Sequence, residues 1–252
     1  MSDTILYSAT DHIGRLVLNN PQSHNSLGQE QLESLQGHFK IIANDPQIRV
    51  LVVTGAGDKT FCAGASLKQL GSGRISGDSF QATTDQLASL AIPTICALNG
   101  NVFGGGVELA LSCDFRIGVE GSRMKVPAAE IGICYPLGGI NRFVERLGVN
   151  LAKRILIAAE EFNDEAMLSI GFLDHLVPAS QLVSRANQMA EHISGLAPLA
   201  VDAMKKVLRQ VASGTVDNAM AGELSRRCAE SDDLQEGLAA QREKRRPQFT
   251  GK

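Results

Sequence analysis

A chain of 252 residues with 44% hydrophobic and 20% charged residues can build one large domain, or one domain with an appendage. Its net charge of −3 excludes a nucleic-acid footprint and a broadly basic membrane face, and no apolar run approaches the ~20 residues of a membrane span. The cysteines (Cys62, Cys96, Cys113, Cys134, Cys228) are odd in number, scattered and never in a C-x-x-C pair, and the histidines show no H-E-x-x-H spacing. These features predict buried thiols in a reducing, cytoplasmic setting, with no disulfide framework and no metal. The opening "MSDTILYSATD" has no basic stretch followed by an apolar one, so no signal peptide is expected.

In chain order, "TILYSA" and "IGRLVLNN" read as two short strands around a turn at Asp11–His12, and "NNPQSHNS" as a polar break. Apolar residues at Leu32, Leu35, Phe39 and Ile42 follow a 3-4-3 helix spacing. "RVLVVTGAG" is a continuous apolar run of strand length, as in a buried parallel strand. "TTDQLASLAI" is helical, Pro93 ends it, and "TICALNG" is the next buried strand. "VELALSCD" then reads as a helix and "FRIGVE" as a strand, so a strand–strand–helix rhythm recurs without an exact repeat. From about residue 145 the segments "VERLGVNLAKRILIAAE", "NDEAMLSIGF", "SQLVSRANQMAEHISGLA", "PLAVDAMKKVLRQVA" and "VDNAMAGELSRRCAE" are helix-like, before a charged tail. The fold class expected is α/β followed by a helical region.

Two glycine-containing loops follow buried strands. In "VTGAGDKTFCAGASLKQL" the third position after Gly55 and Gly57 is Thr60, which speaks against a dinucleotide fingerprint, and neither loop has the G-K-[ST] of a nucleotide loop. Ser66 followed by Gln69 fits a capping box, which places Ala65 just before a helix. The second loop, Gly104 to Gly106, precedes a helix starting near Val107. Each loop can therefore aim one backbone N–H at a common point, as an oxyanion hole requires. The same glycines also fit a plainer role in tight helix–strand packing.

Beyond this point the residues carry a resemblance. "FCAGASLKQL", "ALNGNVFGGGVELALSCDFRIG", "VPAAEIGICYPLGGINRFVERLG", "FNDEAMLSIGFLDHLVP" and "LQEGLAAQREKRRPQF" resemble successive motifs of the crotonase (enoyl-CoA hydratase/isomerase) superfamily over nearly the whole chain. The resemblance implies a spiral of ββα units over residues 1–190 and a helical trimerisation region over 191–252. It further implies a homotrimer or dimer of trimers, with no nucleic-acid or membrane partner and no separate cofactor, a coenzyme A thioester being the substrate. The oxyanion hole would be the N–H groups of Ala65 and Gly105. Asn25, Ser26, Leu27, Ala63, Ser66, Leu67 and Gly104 would line the substrate site, and Lys244 would reach the nucleotide phosphates, with Arg245 and Arg246 assisting.

The chain also departs from that pattern. Hydratases of the family hold a water between two glutamates; one is Glu108 here, and the other position is Ala128. A methyl group supplies neither the acid nor the base that hydration needs. Glu130 lies nearby, either facing solvent or substituting. Tyr135 occupies a loop position where proline is common and resembles the methylmalonyl-CoA decarboxylase branch, although that branch has histidine at the position of Ala65. Its other role is a pocket wall. Glu108 is read as catalytic, the alternative being a purely structural role, because a carboxylate one turn into an apolar helix has its pKa raised toward a useful range. The functions expected are an enolate-forming hydratase/isomerase first, an acyl-CoA decarboxylase second, and a non-catalytic acyl-CoA-binding protein third.

Overall fold

The computed structural model describes residues 4–252. Strands β1 (Ile5–Thr10) and β2 (Ile13–Leu18) pair antiparallel across Asp11 and His12. Both turn residues have positive φ, 50° and 67°, the twist that suits a two-residue hairpin. After α1 (Gln29–Ala43), the apolar runs become β3 (Val50–Gly55) and β5 (Thr94–Leu98), parallel neighbours at the centre of a sheet. With β7 (Phe115–Val119) and β10 (His175–Val177), the order is β1-β2-β3-β5-β7-β10.

Burial on both faces explains why β3 and β5 read as unbroken apolar runs. Leu51, Val53, Cys96 and Leu98 enter the main core with Leu35 and Phe39 of α1 and Leu87 of α3 (Gly77–Ser89). The alternate residues Val50, Val52, Ile95 and Ala97 meet Leu182, Ala186, Ala190 and Ile193 of α7 (Leu182–Ser194) on the other face. Those α7 positions recur every three or four residues, one stripe of a helix.

A second sheet is built from β4 (Thr60–Cys62), β6 (Asn101–Phe103), β8 (Arg123–Lys125) and β9 (Phe162–Asn163), in the order β4-β6-β8-β9. Each main-sheet strand β3, β5 and β7 is followed by one of the short strands. The first two pairs continue into α2 (Leu67–Gly71) and α3, and into α4 (Gly105–Leu111). This is the ββα spiral that the resemblance implies.

The later chain comprises α5 (Leu137–Leu156), α6 (Asp164–Ser169), α8 (Pro198–Ser213), α9 (Asn218–Ala229) and α10 (Asp232–Glu243). Gly148, at φ 81° and ψ 157°, breaks α5 into two helical pieces. Of the residues of α8 only Ala203 is buried. Lys205 anchors this helix, with Nζ 2.6 Å from Asp114 Oδ2 and 2.7 Å from the Ile92 carbonyl. Met204, Leu208 and Val211 form an exposed stripe along it. No helix among the described residues is long and apolar enough to cross a membrane.

Three local expectations need correction. Ser66 does precede α2, but its side chain makes no capping bond. Gln69 Oε1 instead accepts the Gln29 N–H at 2.9 Å, tying α2 to the start of α1. The thiols are also not uniformly buried, since Cys134 is exposed. Helix α4, finally, begins at Gly105 rather than near Val107.

Candidate active site

The two glycine loops press against each other. A Cβ on Gly64 would lie 2.4 Å from Gly105 N, so the peptides that lead into α2 and α4 are nearly in contact. Leu27 forms a lone parallel bridge to Ala65. Its N–H donates to Gly64 O and its carbonyl accepts from Ser66 N. Extended backbone alternates direction, so the Ala65 N–H points away from Leu27. Gly105 is the first residue of α4, where an N–H has no partner within the helix. Two donors without a hydrogen-bond partner among the described residues thus sit on neighbouring loops.

The triple glycine is explained mainly by the protein's own packing. Gly104 has φ 52° and ψ −128°, a conformation open to glycine alone. A Cβ on Gly105 would stand 2.5 Å from Phe80 Cζ, and one on Gly106 2.4 Å from the Cys62 carbonyl oxygen. The plainer of the two roles considered for these glycines therefore accounts for Gly105 and Gly106.

Between the loops lies a cavity of about 330 Å³, lined by Ala63, Ala65, Leu67, Phe80, Gly104, Gly105, Glu108, Ala128, Ile133, Cys134 and Tyr135 among others. A groove of about 930 Å³ runs elsewhere, between the C-terminal ends of α1 and α3 and the start of α8, and none of these site residues lines it. Among the described residues Glu108 is the one carboxylate in the wall of the smaller cavity, and no lysine or arginine lines it. Glu108 is 2% exposed. Its Oε1 accepts from Thr84 Oγ1 at 2.8 Å and from Arg142 Nη1 at 3.0 Å. Oε2 has no hydrogen-bond partner among the described residues, and lies 3.2 Å from the point where a Gly139 Cβ would stand, beside the Tyr135 ring.

Burial pushes the Glu108 carboxyl above its ordinary value. The Thr84 hydrogen bond and the Arg142 charge pull it back, and the Asp85 charge adds to the rise. Tyr135 packs edge-on against Phe143, with ring centroids 5.6 Å apart. Its phenol is held far above the usual range, first by burial and then by the Glu108 charge, so it stays protonated. The structure gives its hydroxyl no partner among the described residues.

Of the other residues singled out in the sequence, Asn25 stands behind the wall. Its amide donates to Ala56 O and Thr60 O and accepts from Asn20 N, so its polar atoms are occupied in holding the loop. Leu27 is buried in the core. Ser26, Ser66 and Lys244 do not line the cavity. Lys244 caps α10 in the left-handed conformation. Arg245 is engaged by Glu236 and Glu243, each at 2.6 Å, and is not free to assist it. Glu130 is half exposed and pairs with Lys125 at 2.8 Å, so it does not substitute for a carboxylate at position 128. Sequence reasoning missed Thr84, Asp85 and Arg142. The signal available was a buried-face threonine pair and an arginine one turn into an apolar helix.

A family model described as enoyl-CoA hydratase/isomerase matches residues 8–252. The carnitinyl-CoA dehydratase of Proteus mirabilis is 30% identical, with 100% of each chain covered. The short-chain-enoyl-CoA hydratase of Clostridium acetobutylicum is 29% identical, over 97% of this chain and 96% of that one. The crystal structure of an enoyl-CoA hydratase from Bacillus anthracis superposes with a TM-score of 0.91 at 31% identity, covering 99% of this chain and all of that one.

Proposed function

The chain belongs to the enoyl-CoA hydratase/isomerase family, and on that premise we propose that its cavity forms an enolate from an acyl-CoA thioester by proton transfer to Glu108. The thioester oxygen accepts from the N–H groups of Ala65 and Gly105, which meet the charge as it develops; one such donor is worth roughly 2.7–4 kcal/mol in related acyl chemistry. Glu108 Oε2 takes the proton from the carbon next to the thioester. The otherwise apolar wall keeps water from levelling either interaction.

One observation supports isomerisation among the reactions open to an enolate: among the described residues Glu108 is the only carboxylate lining the cavity, and Ala128 supplies none. A single carboxylate can remove a proton from one carbon and return it to another, which is an isomerisation. Hydration needs a second group to share the water. Decarboxylation is disfavoured, because a substrate carboxylate would find no lysine or arginine in the wall and would be repelled by Glu108. Lys244, exposed at the end of α10, is the cation we assign to the nucleotide phosphates. The exposed Met204, Leu208 and Val211 of α8 are assigned to a contact between copies of the chain in a trimer or dimer of trimers. A monomeric mass at micromolar concentration would contradict that assembly.

Turnover of β,γ-enoyl-, trans-2-enoyl- and methylmalonyl-CoA separates the reactions. The expected result is isomerisation of the first, slow hydration of the second and no loss of CO2 from the third. Turnover of methylmalonyl-CoA alone would overturn the proposal, and binding without turnover of any would leave a carrier of acyl-CoA in its place.

A further inference from the structure

We propose that Arg142 is the positioning residue of this site: it holds Glu108 by one carboxylate oxygen, leaves the other, beside the cavity-lining Tyr135, without a hydrogen bond, and shares its charge with Asp85 so as to set the pH at which Glu108 loses its proton. This inference rests on Glu108 being the base.

Three helices meet here. Arg142 comes from α5, Thr84 and Asp85 from α3, and Glu108 from α4. Arg142 Nη1 lies 3.0 Å from Glu108 Oε1 and 3.2 Å from Thr84 Oγ1, while Nη2 lies 2.5 Å from Asp85 Oδ1. Both bonds to the Glu108 carboxylate therefore fall on Oε1, and Oε2 is left as the free oxygen. The arginine fork is planar and permanently charged, so it fixes both the direction and the charge environment of the carboxylate. A carboxylate 2% exposed and unpaired would instead be neutral at ordinary pH.

Asp85 makes this arrangement tunable. Its side chain is 49% exposed while those of Arg142 and Glu108 are 10% and 3% exposed, so one carboxylate reaches solvent and the other does not. The two compete for one guanidinium. Two further ionisable groups on the elements packed around α4 stay uncharged. Tyr135 is a buried phenol, and the Cys62 thiol on β4 is pushed up to about 12 by burial. Strand β6 (Asn101–Phe103), also against α4, brings no ionisable side chain.

The opposite signs expected for the two neighbours are what damage to packing would not reproduce. The rate of β,γ-enoyl-CoA isomerisation would be followed against pH for wild type, Arg142→Met, Arg142→Lys and Asp85→Asn. The Glu108 carboxyl carbon would be titrated in the same proteins by 13C NMR and assigned by its loss in Glu108→Gln. Arg142→Met is expected to move the acidic limb of the rate up by about one to three pH units. Asp85→Asn is expected to move it down by up to about one. Arg142→Lys should restore the limb toward wild type with a lower plateau, because an ammonium group carries the charge without the fork. Limbs and carboxyl titrations that stay put, or move together in one direction, would overturn the proposal. If Arg142→Met fails to fold, Asp85→Asn at its half-exposed site carries the test alone. Carboxyl titrations that shift as expected while the rate ignores them would uphold the positioning and overturn Glu108 as the base.

Discussion

Along one wall of the cavity a buried carboxylate is held by a threonine and an arginine from two other helices; along another, residues 127–136, the position where the resemblance leads one to expect a second carboxylate holds a buried alanine, Ala128. The contrast shows where this fold can carry charge out of water. Glu108 has compensation, because α3 and α5 deliver partners to it. Position 128 has no lysine or arginine in the cavity wall beside it among the described residues, and Lys125 is taken by Glu130. A charge without partners in such a wall would give up its ionisation or cost stability. The difference between the walls therefore bears on the proposed chemistry as well as on packing: one carries the carboxylate assigned to proton transfer, and the other supplies an apolar surface.

Removing the charged wall has the largest expected effect. Glu108→Gln keeps the shape but cannot take a proton, and kcat should fall by about 10²–10⁴, the span of one acid–base group. Steady-state kinetics checks this, together with unchanged binding of a saturated acyl-CoA. The same variant has a consequence for stability. Because the folded carboxyl holds its proton to a higher pH than the unfolded one, the folded state binds more protons across that window. Stability contributed by this group therefore falls as pH rises from the ordinary carboxylate value through the raised one. Denaturant unfolding at several pH values should lose that slope in Glu108→Gln.

Converting the apolar wall is the next largest change. Ala128→Glu should raise hydration of a trans-2-enoyl-CoA by about tenfold or more, short of the 10²–10⁴ of an ideally placed group. Its carboxyl has no buried cation to pair with and Glu108 as a neighbour, so it should be held protonated and act as the acid. Loss of the enoyl thioester absorbance measures the rate. Fast hydration by the wild type would show that Tyr135 or another group already fills the role.

The smallest effect sharpens the comparison from the side of packing. Gly106→Ala places a Cβ 2.4 Å from the Cys62 carbonyl oxygen, beneath the wall rather than in it. It should cost about 1–3 kcal/mol of stability, as overpacking does, and chemical denaturation would report it. Loss of activity beyond that of stability would mean that the α4 N–H had moved out of place.

Much of this was readable in the letters, for a physical reason. Strands buried on both faces, such as β3 and β5, must be apolar throughout, and α1 must repeat its apolar residues every three or four positions; both patterns are local. The second sheet was not readable, because its strands are two or three residues long and no period can be seen over that span. At the site, Glu108 and the two loops were visible through glycine spacing and family motifs. The network of Thr84, Asp85 and Arg142 was not, because it depends on how three helices separated by up to 58 residues cross. Asn25 shows the opposite case: the resemblance assigns it to the substrate site, while its amide is occupied by backbone.

The most direct measurement of the central claim needs no completed reaction. An enzyme that forms the enolate should exchange the proton next to the thioester with solvent, even in a saturated acyl-CoA that has no further step to take. Butyryl-CoA incubated with the protein in D2O and followed by 1H NMR is predicted to gain deuterium at that carbon alone. Glu108→Gln, with its fold and acyl-CoA binding intact, is predicted to slow that gain by about 10²–10⁴. Exchange that proceeds equally in both proteins, or is absent from the wild type while butyryl-CoA binds, would contradict the account.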